Sequence, residues 1–275
     1  MKQAVIKLSL CGLLFSACLF LSAWAELDSA DPAKNNTHAE LWTPVTLKLP
    51  VTERWGISTM TLPLLRQDEG GLTRIQTRGG VYYQPTPRLE IGASVDYIPT
   101  FNKNTNLEWR LGQQAVYTQP LGKRGLTWRH RTRLEQRWTE NTPFRHRLRL
   151  RNRFSMPVPK HPRWYGFAEQ ELHLNIGKEQ AGFDQHRLYT GIGKQLTSYC
   201  SIEGGYQWIY TNTSNPNNQQ NVHVAIVQVL LQTPTLFKKP STSTRITGPN
   251  QPKEEAPITD RNPSIIPSAS PFNDY

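Results

Sequence analysis

Hydrophobic and polar residues alternate with a period of two along most of the chain between residues 40 and 232. The pattern is sharpest in 128–138, Trp128-Arg129-His130-Arg131-Thr132-Arg133-Leu134-Glu135-Gln136-Arg137-Trp138, and in 144–154, Phe144-Arg145-His146-Arg147-Leu148-Arg149-Leu150-Arg151-Asn152-Arg153-Phe154. Successive side chains of a β-strand point to opposite faces, so each stretch sends its arginines to one side; a helix would scatter them. Residues 139–143 between the two have the length and composition of a hairpin loop. Pairing the strands so that Trp138 opposes Phe144 gathers nine arginines and Glu135 on one face. The other face carries Trp, Phe, Leu, His, Thr, Asn and Gln.

Alternation alone leaves the sign of the two faces open. A water-soluble barrel turns leucine inward and arginine outward, and a transmembrane barrel does the reverse. The aromatic residues decide it: Trp128 opposite Phe154 and Trp138 opposite Phe144 close the arginine-free face at both ends. At ~3.3 Å per residue and a tilt of ~40°, the two pairs stand about 25 Å apart along a membrane normal, the height of the apolar band between aromatic girdles. His130, Thr132, Gln136, His146 and Asn152 run against this choice, because it turns them toward lipid.

Similar alternation recurs near 72–84, 89–97, 107–117, 164–175, 187–196, 201–210 and 221–231, with a weaker segment at 54–66 whose centre holds Pro63. Turns at 85–88, 119–125, 156–162 and 197–199 are compact, whereas those at 100–105, 176–184 and 211–219 are polar and mostly longer. The compact set is expected at the periplasmic rim and the longer set outside. The expected fold is therefore all-β, an antiparallel up-and-down transmembrane β-barrel of about 10–12 strands. Counting from 54–66 gives ten strands with both ends periplasmic, and leaves 40–49 as an eleventh segment that an even barrel cannot use alone.

The ends of the chain differ in character. Lys2, Lys7, the apolar run Leu8–Leu21 and Ala23-Trp24-Ala25 read as a secretory signal peptide over 1–25, with a weaker lipoprotein-box reading at Phe15–Cys18. A lead over 26–39, a barrel over 40–232 and a disordered tail over 233–275 follow; eight of the 21 prolines fall within 232–275. Without Cys11 and Cys18 the mature chain keeps only Cys200, which excludes an internal disulfide and a thiolate metal cluster. The net charge of +11 falls to about +9 without the two leader lysines. Much of it is the inward arginine set, so nucleic acid is not the expected partner.

With these faces the interior holds thirteen arginines: 74, 78, 110, 129, 131, 133, 137, 145, 147, 149, 151, 153 and 187. Glu90, Asp96, Glu108, Glu135, Glu169, Glu171 and Glu203 share it, with Glu135 expected opposite Arg147 and Glu169 and Glu171 near Arg149 and Arg151. Two outcomes follow. Either the charges interlock into a salt-bridged structural barrel, or unpaired guanidinium groups make a narrow anion-preferring channel or binding barrel for small acidic solutes. An outer-membrane lipid hydrolase or acyltransferase is a third class. His146 beside Gln136 and His130 opposite Asn152 lack a same-face serine, so no catalytic residue is assigned and the chain is not expected to be an enzyme. His38, His161, His173 and His223 are scattered, and no cofactor or metal is expected. The expected partners are outer-membrane lipid and lipopolysaccharide, the barrel-assembly machinery and a small anionic solute.

Four stretches carry a family likeness: Leu41-Trp42-Thr43, Arg133-Leu134-Glu135-Gln136-Arg137-Trp138, Phe144-Arg145-His146-Arg147-Leu148-Arg149 and Phe183-Asp184-Gln185-His186-Arg187-Leu188-Tyr189-Thr190-Gly191-Ile192-Gly193. They resemble a bacterial family catalogued as domain of unknown function 2490, over roughly residues 38–232. The resemblance implies an outer-membrane β-barrel and no established activity. The chain departs from that pattern in its proline-rich tail, since Leu230-Leu231 ends the last strand in place of an aromatic residue.

Overall fold

A computed structural model describes residues 37–101, 106–122, 124–140, 142–177, 181–212 and 220–236. The expected leader, most of the lead, the tips of three longer hairpins and nearly all of the tail lie outside the described residues. Twelve strand segments follow one another: β1 (Thr37–Trp42), β2 (Val45–Pro50), β3 (Trp55–Arg66), β4 (Gly71–Thr86), β5 (Leu89–Thr100), β6 (Asn106–Leu121), β7 (Leu126–Thr139), β8 (Thr142–Val158), β9 (His161–Ile176), β10 (Gly182–Thr197), β11 (Cys200–Thr211) and β12 (Gln220–Gln232). Each of β3 to β11 pairs antiparallel with the next, as alternating segments joined by short turns should. The first strand begins at Thr37, three residues before the expected barrel start.

Closure differs from an even meander. β1 and β2 occupy one position in the barrel wall, giving eleven staves. Both run parallel to β12 in a single register, Thr37 beside Asn221, Trp42 beside Ile226 and Val45 beside Val229. Both run antiparallel to β3, again in one register, Trp42 facing Leu64 and Val45 facing Thr61. The interruption between them is chemical, because Pro44 has no N–H to give the ladder. Its carbonyl still accepts from Val229 N at 3.0 Å, while Thr43 N donates to the Pro63 carbonyl at 3.3 Å. Pro63 is tolerated inside β3 for the same reason, since its missing N–H would point at that break. The expectation of an even strand count with both ends at one rim is thereby corrected. The segment at 40–49 is the closing stave, and the wall starts at the long-hairpin rim and ends at the compact-turn rim.

The inside of the barrel has two chemically distinct halves. β4 to β9 contribute buried charge, from Arg78 and Asp96 through the arginines of β7 and β8 to Glu169 and Glu171. The other side, which takes in part of β9, is largely apolar: Trp42, Met60, Leu62, Leu64, Tyr165, Phe167, Tyr189, Ile209, Val222, Val224 and Ile226 form one cluster. Eleven staves enclose more volume than eight, whose side chains only just fill the interior, so large residues are needed on both halves. Gly112 makes room for them, because a Cβ there would collide with the Arg133 guanidinium.

The outside is inverted relative to a water-soluble protein. Trp55 is 53% exposed, Val81 52% and Ile192 56%, while Arg131 is 1% exposed and Glu135 0%. Aromatic pairs ring both rims. At the long-hairpin end Tyr97 packs on Trp109 with centroids 4.9 Å apart and Trp138 on Phe144 at 5.1 Å. At the compact-turn end Trp55 packs on Tyr83 at 4.7 Å and Tyr117 on Trp128 at 6.3 Å. Trp128 faces Phe154 as expected. A bulge between Arg137 and Thr139 keeps Trp138 and Phe144 from being direct strand partners, although their rings still touch.

Candidate functional site

Period-two alternation on adjacent strands stacks like side chains in rows, so β7 and β8 alone would give a repulsive arginine wall. Carboxylates from the neighbouring strands relieve it. Glu171 accepts from Arg149 at 3.1 and 2.8 Å and from Arg131 at 2.8 Å. Glu135 binds Arg133 at 3.0 Å and Arg149 at 2.9 Å. Asp96 takes Arg78 at 2.5 Å and Arg133 at 3.3 Å. These links form one unbroken chain, Arg78–Asp96–Arg133–Glu135–Arg149–Glu171–Arg131, from β4 to β9. A second chain joins Arg151 and Arg153 through Glu169, and Arg153 to Glu203 at 2.7 Å. Tyr165 Oη donates to Glu203 at 2.7 Å, and the Gln228 amide reaches its other oxygen. Nearer the compact-turn rim, Lys48 meets Glu90 at 2.5 Å.

The strand register places every expected interior residue inside the wall, and Glu171 and Glu169 bind Arg149 and Arg151, the arginines expected near them, though each leans past its direct strand partner. Glu135 does face Arg147, yet its carboxylate binds Arg149 and Arg133, and Arg147 goes to Asp184 at 2.7 Å. Glu171 faces Arg151 and binds Arg149; Glu169 faces Arg153 and serves both Arg151 and Arg153. Long side chains lean along the strand and reach the diagonal neighbour two residues away. Arg137 shares Glu108 with Arg110, Arg145 donates to Thr142 Oγ1 at 3.4 Å at the mouth, and Arg129 is buried toward the opposite rim.

At mid-height the two halves meet. Arg131, Glu135, Met60, Glu203, Val224 and Gln228 are all at most 1% exposed, so these side chains pack without water between them. Above this level, at the long-hairpin mouth, a cavity of ≈ 240 Å³ is lined by Arg74, Arg110, Arg137, Arg147 and Arg187, with Trp42 and Leu62 also in its wall. Among the described residues Arg187 donates to the Gln185 amide oxygen, at 2.8 and 3.3 Å, and its guanidinium lies 5.4 Å from the Trp42 ring centroid. Arg74 makes no ion pair among the described residues. Glu40, in the same cavity, is tied to Trp42 Nε1 at 2.7 Å and to His38 at 2.9 Å.

The polar residues of the outer face are also paired. Trp128 Nε1 donates to Asn152 Oδ1 at 3.1 Å; His130 Nδ1 lies 3.0 Å from the same oxygen, and His130 Nε2 lies 3.0 Å from Thr132 Oγ1. Thr132 shares His130's face two residues along. His146 stands beside Gln136 and against the Phe144 ring at 4.7 Å. Among the described residues no group of three or more His, Cys, Asp or Glu side chains is arranged to hold a metal ion.

No curated protein and no solved structure matches the chain. A family model does, over residues 39–221, from the start of the closing stave to the beginning of β12. This range takes in both arginine strands and every carboxylate of the two ion-pair chains. The chain belongs to the family described as protein of unknown function, DUF2490.

Proposed function

We propose that this protein is an outer-membrane β-barrel with a sealed interior, in which salt bridges and an apolar cluster take the place of a pore. One observation carries the reading: the wall turns its large apolar side chains outward and buries its arginines. In water that inversion is unfavourable on both counts, since exposed apolar area and buried charge each cost free energy. In a bilayer the outward face is solvated by lipid, and a closed barrel satisfies every backbone group internally. The paired aromatics at both rims fit the two interfaces. Lipid and lipopolysaccharide are then the partners of the outer face, and the barrel-assembly machinery inserts the chain. Fractionation of cells tests it: the protein sediments with outer membrane and needs detergent for release. Recovery as a soluble periplasmic species would contradict it.

The mouth cavity favours a second, compatible property, retention of small anions. Among the described residues Arg187 hydrogen-bonds to an amide there and to no carboxylate, and the guanidinium fork suits carboxylate and phosphate. Citrate should raise the unfolding temperature of the detergent-solubilised protein, and Arg74→Gln with Arg187→Gln should abolish that rise. An equal rise in the double variant would remove this reading.

A further inference from the structure

The turn joining β8 to β9 holds the only non-glycine residue with positive φ among the described residues, Lys160 at 66°. Val158 and His161 are strand partners, so Pro159 and Lys160 are the two loop residues between them. Proline fixes its own φ near about −65°, and a positive φ after it is the pattern of a type II turn, whose third position favours glycine. Other turns here do use glycine at positive φ, as at Gly70 and Gly125. A lysine in that conformation holds backbone strain that glycine would release, and such strain collects where a side chain is used.

A second, independent feature adjoins this lysine. A pocket of ≈ 490 Å³ lies at the compact-turn rim, with Arg124, Met156, Val158, Pro159 and Lys160 in its walls. A Cβ on Gly125 would come within 2.9 Å of Pro157, so the two turns meet there and Arg124 borders the same pocket as Lys160. Neither cation has an ion pair among the described residues. Met156 to Pro159 also form one end of a trough of ≈ 320 Å³ that follows the outer wall past Phe154, Gly166 and Ala168. Large side chains on β8 face small ones on β9 across it, Phe154 opposite Ala168 and Met156 opposite Gly166. A Cβ on Gly166 would meet nothing, so the trough is open above it.

The depths match the layers of one membrane leaflet. Phe154 faces Trp128 in the compact-turn girdle, at the boundary where lipid esters lie. Val158 follows four residues on, about 10 Å further out at ~3.3 Å per residue and a tilt of ~40°. The polar layer of a leaflet is ~5–8 Å deep. Long cationic side chains at this turn therefore serve the phosphate layer, with their stems over Met156 and Val158.

We propose that this rim holds one anionic phospholipid, its phosphate between Arg124 and Lys160 and its ester and first methylenes in the trough beside Phe154. Beyond Ala168 the acyl chain continues over the apolar wall. Two cations around one phosphate disfavour a headgroup that brings its own ammonium, so phosphatidylglycerol fits better than phosphatidylethanolamine. The inference rests on the outer-membrane reading for contact with lipid, in which the compact turns are periplasmic and meet the phospholipid leaflet. It goes beyond that reading by assigning one discrete site.

The test titrates the full mature chain, delipidated in mild detergent, with phosphatidylglycerol, phosphatidylethanolamine, diacylglycerol and glycerol 3-phosphate in turn. Native mass spectrometry counts the bound molecules. One phosphatidylglycerol should be held per chain, phosphatidylethanolamine should bind about fivefold more weakly, and neither half-ligand should be retained. Lys160→Gly and Arg124→Gln should each weaken phosphatidylglycerol about fivefold. The denaturant midpoint of Lys160→Gly should hold or rise, because glycine accepts the turn conformation, and a purely structural role for the lysine would not give that pairing. Gly166→Leu, which fills the trough where space is open, should expel the lipid. Arg88→Gln removes an exposed charge from another compact turn and should match wild type. Binding unchanged in both Lys160→Gly and Gly166→Leu, an equal loss in Arg88→Gln, equal affinity for the two phospholipids, or retention of glycerol 3-phosphate alone would each overturn the proposal. Lipid contact is read separately by quenching of tryptophan emission with brominated phospholipid, so failure here is distinguishable from failure of the membrane reading.

Discussion

Arg149 presents its fork to Glu171 across the β8–β9 ladder, Nε to Oε1 at 3.1 Å and Nη2 to Oε2 at 2.8 Å, although the residue directly opposite Glu171 is Arg151. Two parallel charge-assisted bonds fix geometry as well as energy, and both partners are almost fully buried. The pair is a junction, because Glu171 also binds Arg131 and Arg149 also binds Glu135.

Breaking that junction from one side strands buried arginines. Glu171→Gln should destabilise the folded barrel by ~3–5 kcal/mol, whereas replacing Arg131, Arg149 and Glu171 together by Met, Met and Leu should cost far less. Denaturant midpoints of the refolded proteins in detergent check both arms.

A sealed interior makes an electrical prediction. Purified protein in planar bilayers should give no steady current, because the mid-height residues on both halves exclude water. Met60→Ala and Val224→Ala, which thin the apolar half, are the substitutions expected to admit conductance first. Steady anion-preferring current through wild type would restore the channel reading and remove the sealed one.

The parallel seam has its own signature. Val45 and Val229 are direct partners across it. With Cys200→Ser, the double variant Val45→Cys and Val229→Cys should oxidise to an internal disulfide, seen as a mobility shift without reductant. A barrel closed by β12 on β3 would leave the two thiols unbridged.

Much of this was legible in the sequence where one face of a strand was charged and the other was not. β7 and β8 declare their faces through nine arginines, and the Trp128–Phe154 register followed from them. The apolar half of the interior was illegible, because β12 reads Val222-His223-Val224-Ala225-Ile226-Val227 and offers apolar residues to both faces. Met60-Thr61-Leu62-Pro63-Leu64 alternates clearly, but its inward leucines look the same as lipid-facing ones. The segment at 40–49 was visible as an eleventh, but the assumption of an even barrel left it no position, because a parallel seam has no place there. On the outer face the pairing of His130 with Asn152 followed from the strand register, whereas the contact of His130 with Thr132 depends on a side-chain rotamer that alternation does not set.

The central claim is that the aromatic outer wall touches lipid while the interior is shielded from it. Single-tryptophan proteins retaining only Trp109 or only Trp42, of the eight in the chain, place a reporter on each side of the wall. Reconstituted with brominated phospholipid, the Trp109 protein should lose most of its emission and the Trp42 protein almost none. Equal quenching of the two, or quenching of Trp42 alone, would contradict the account.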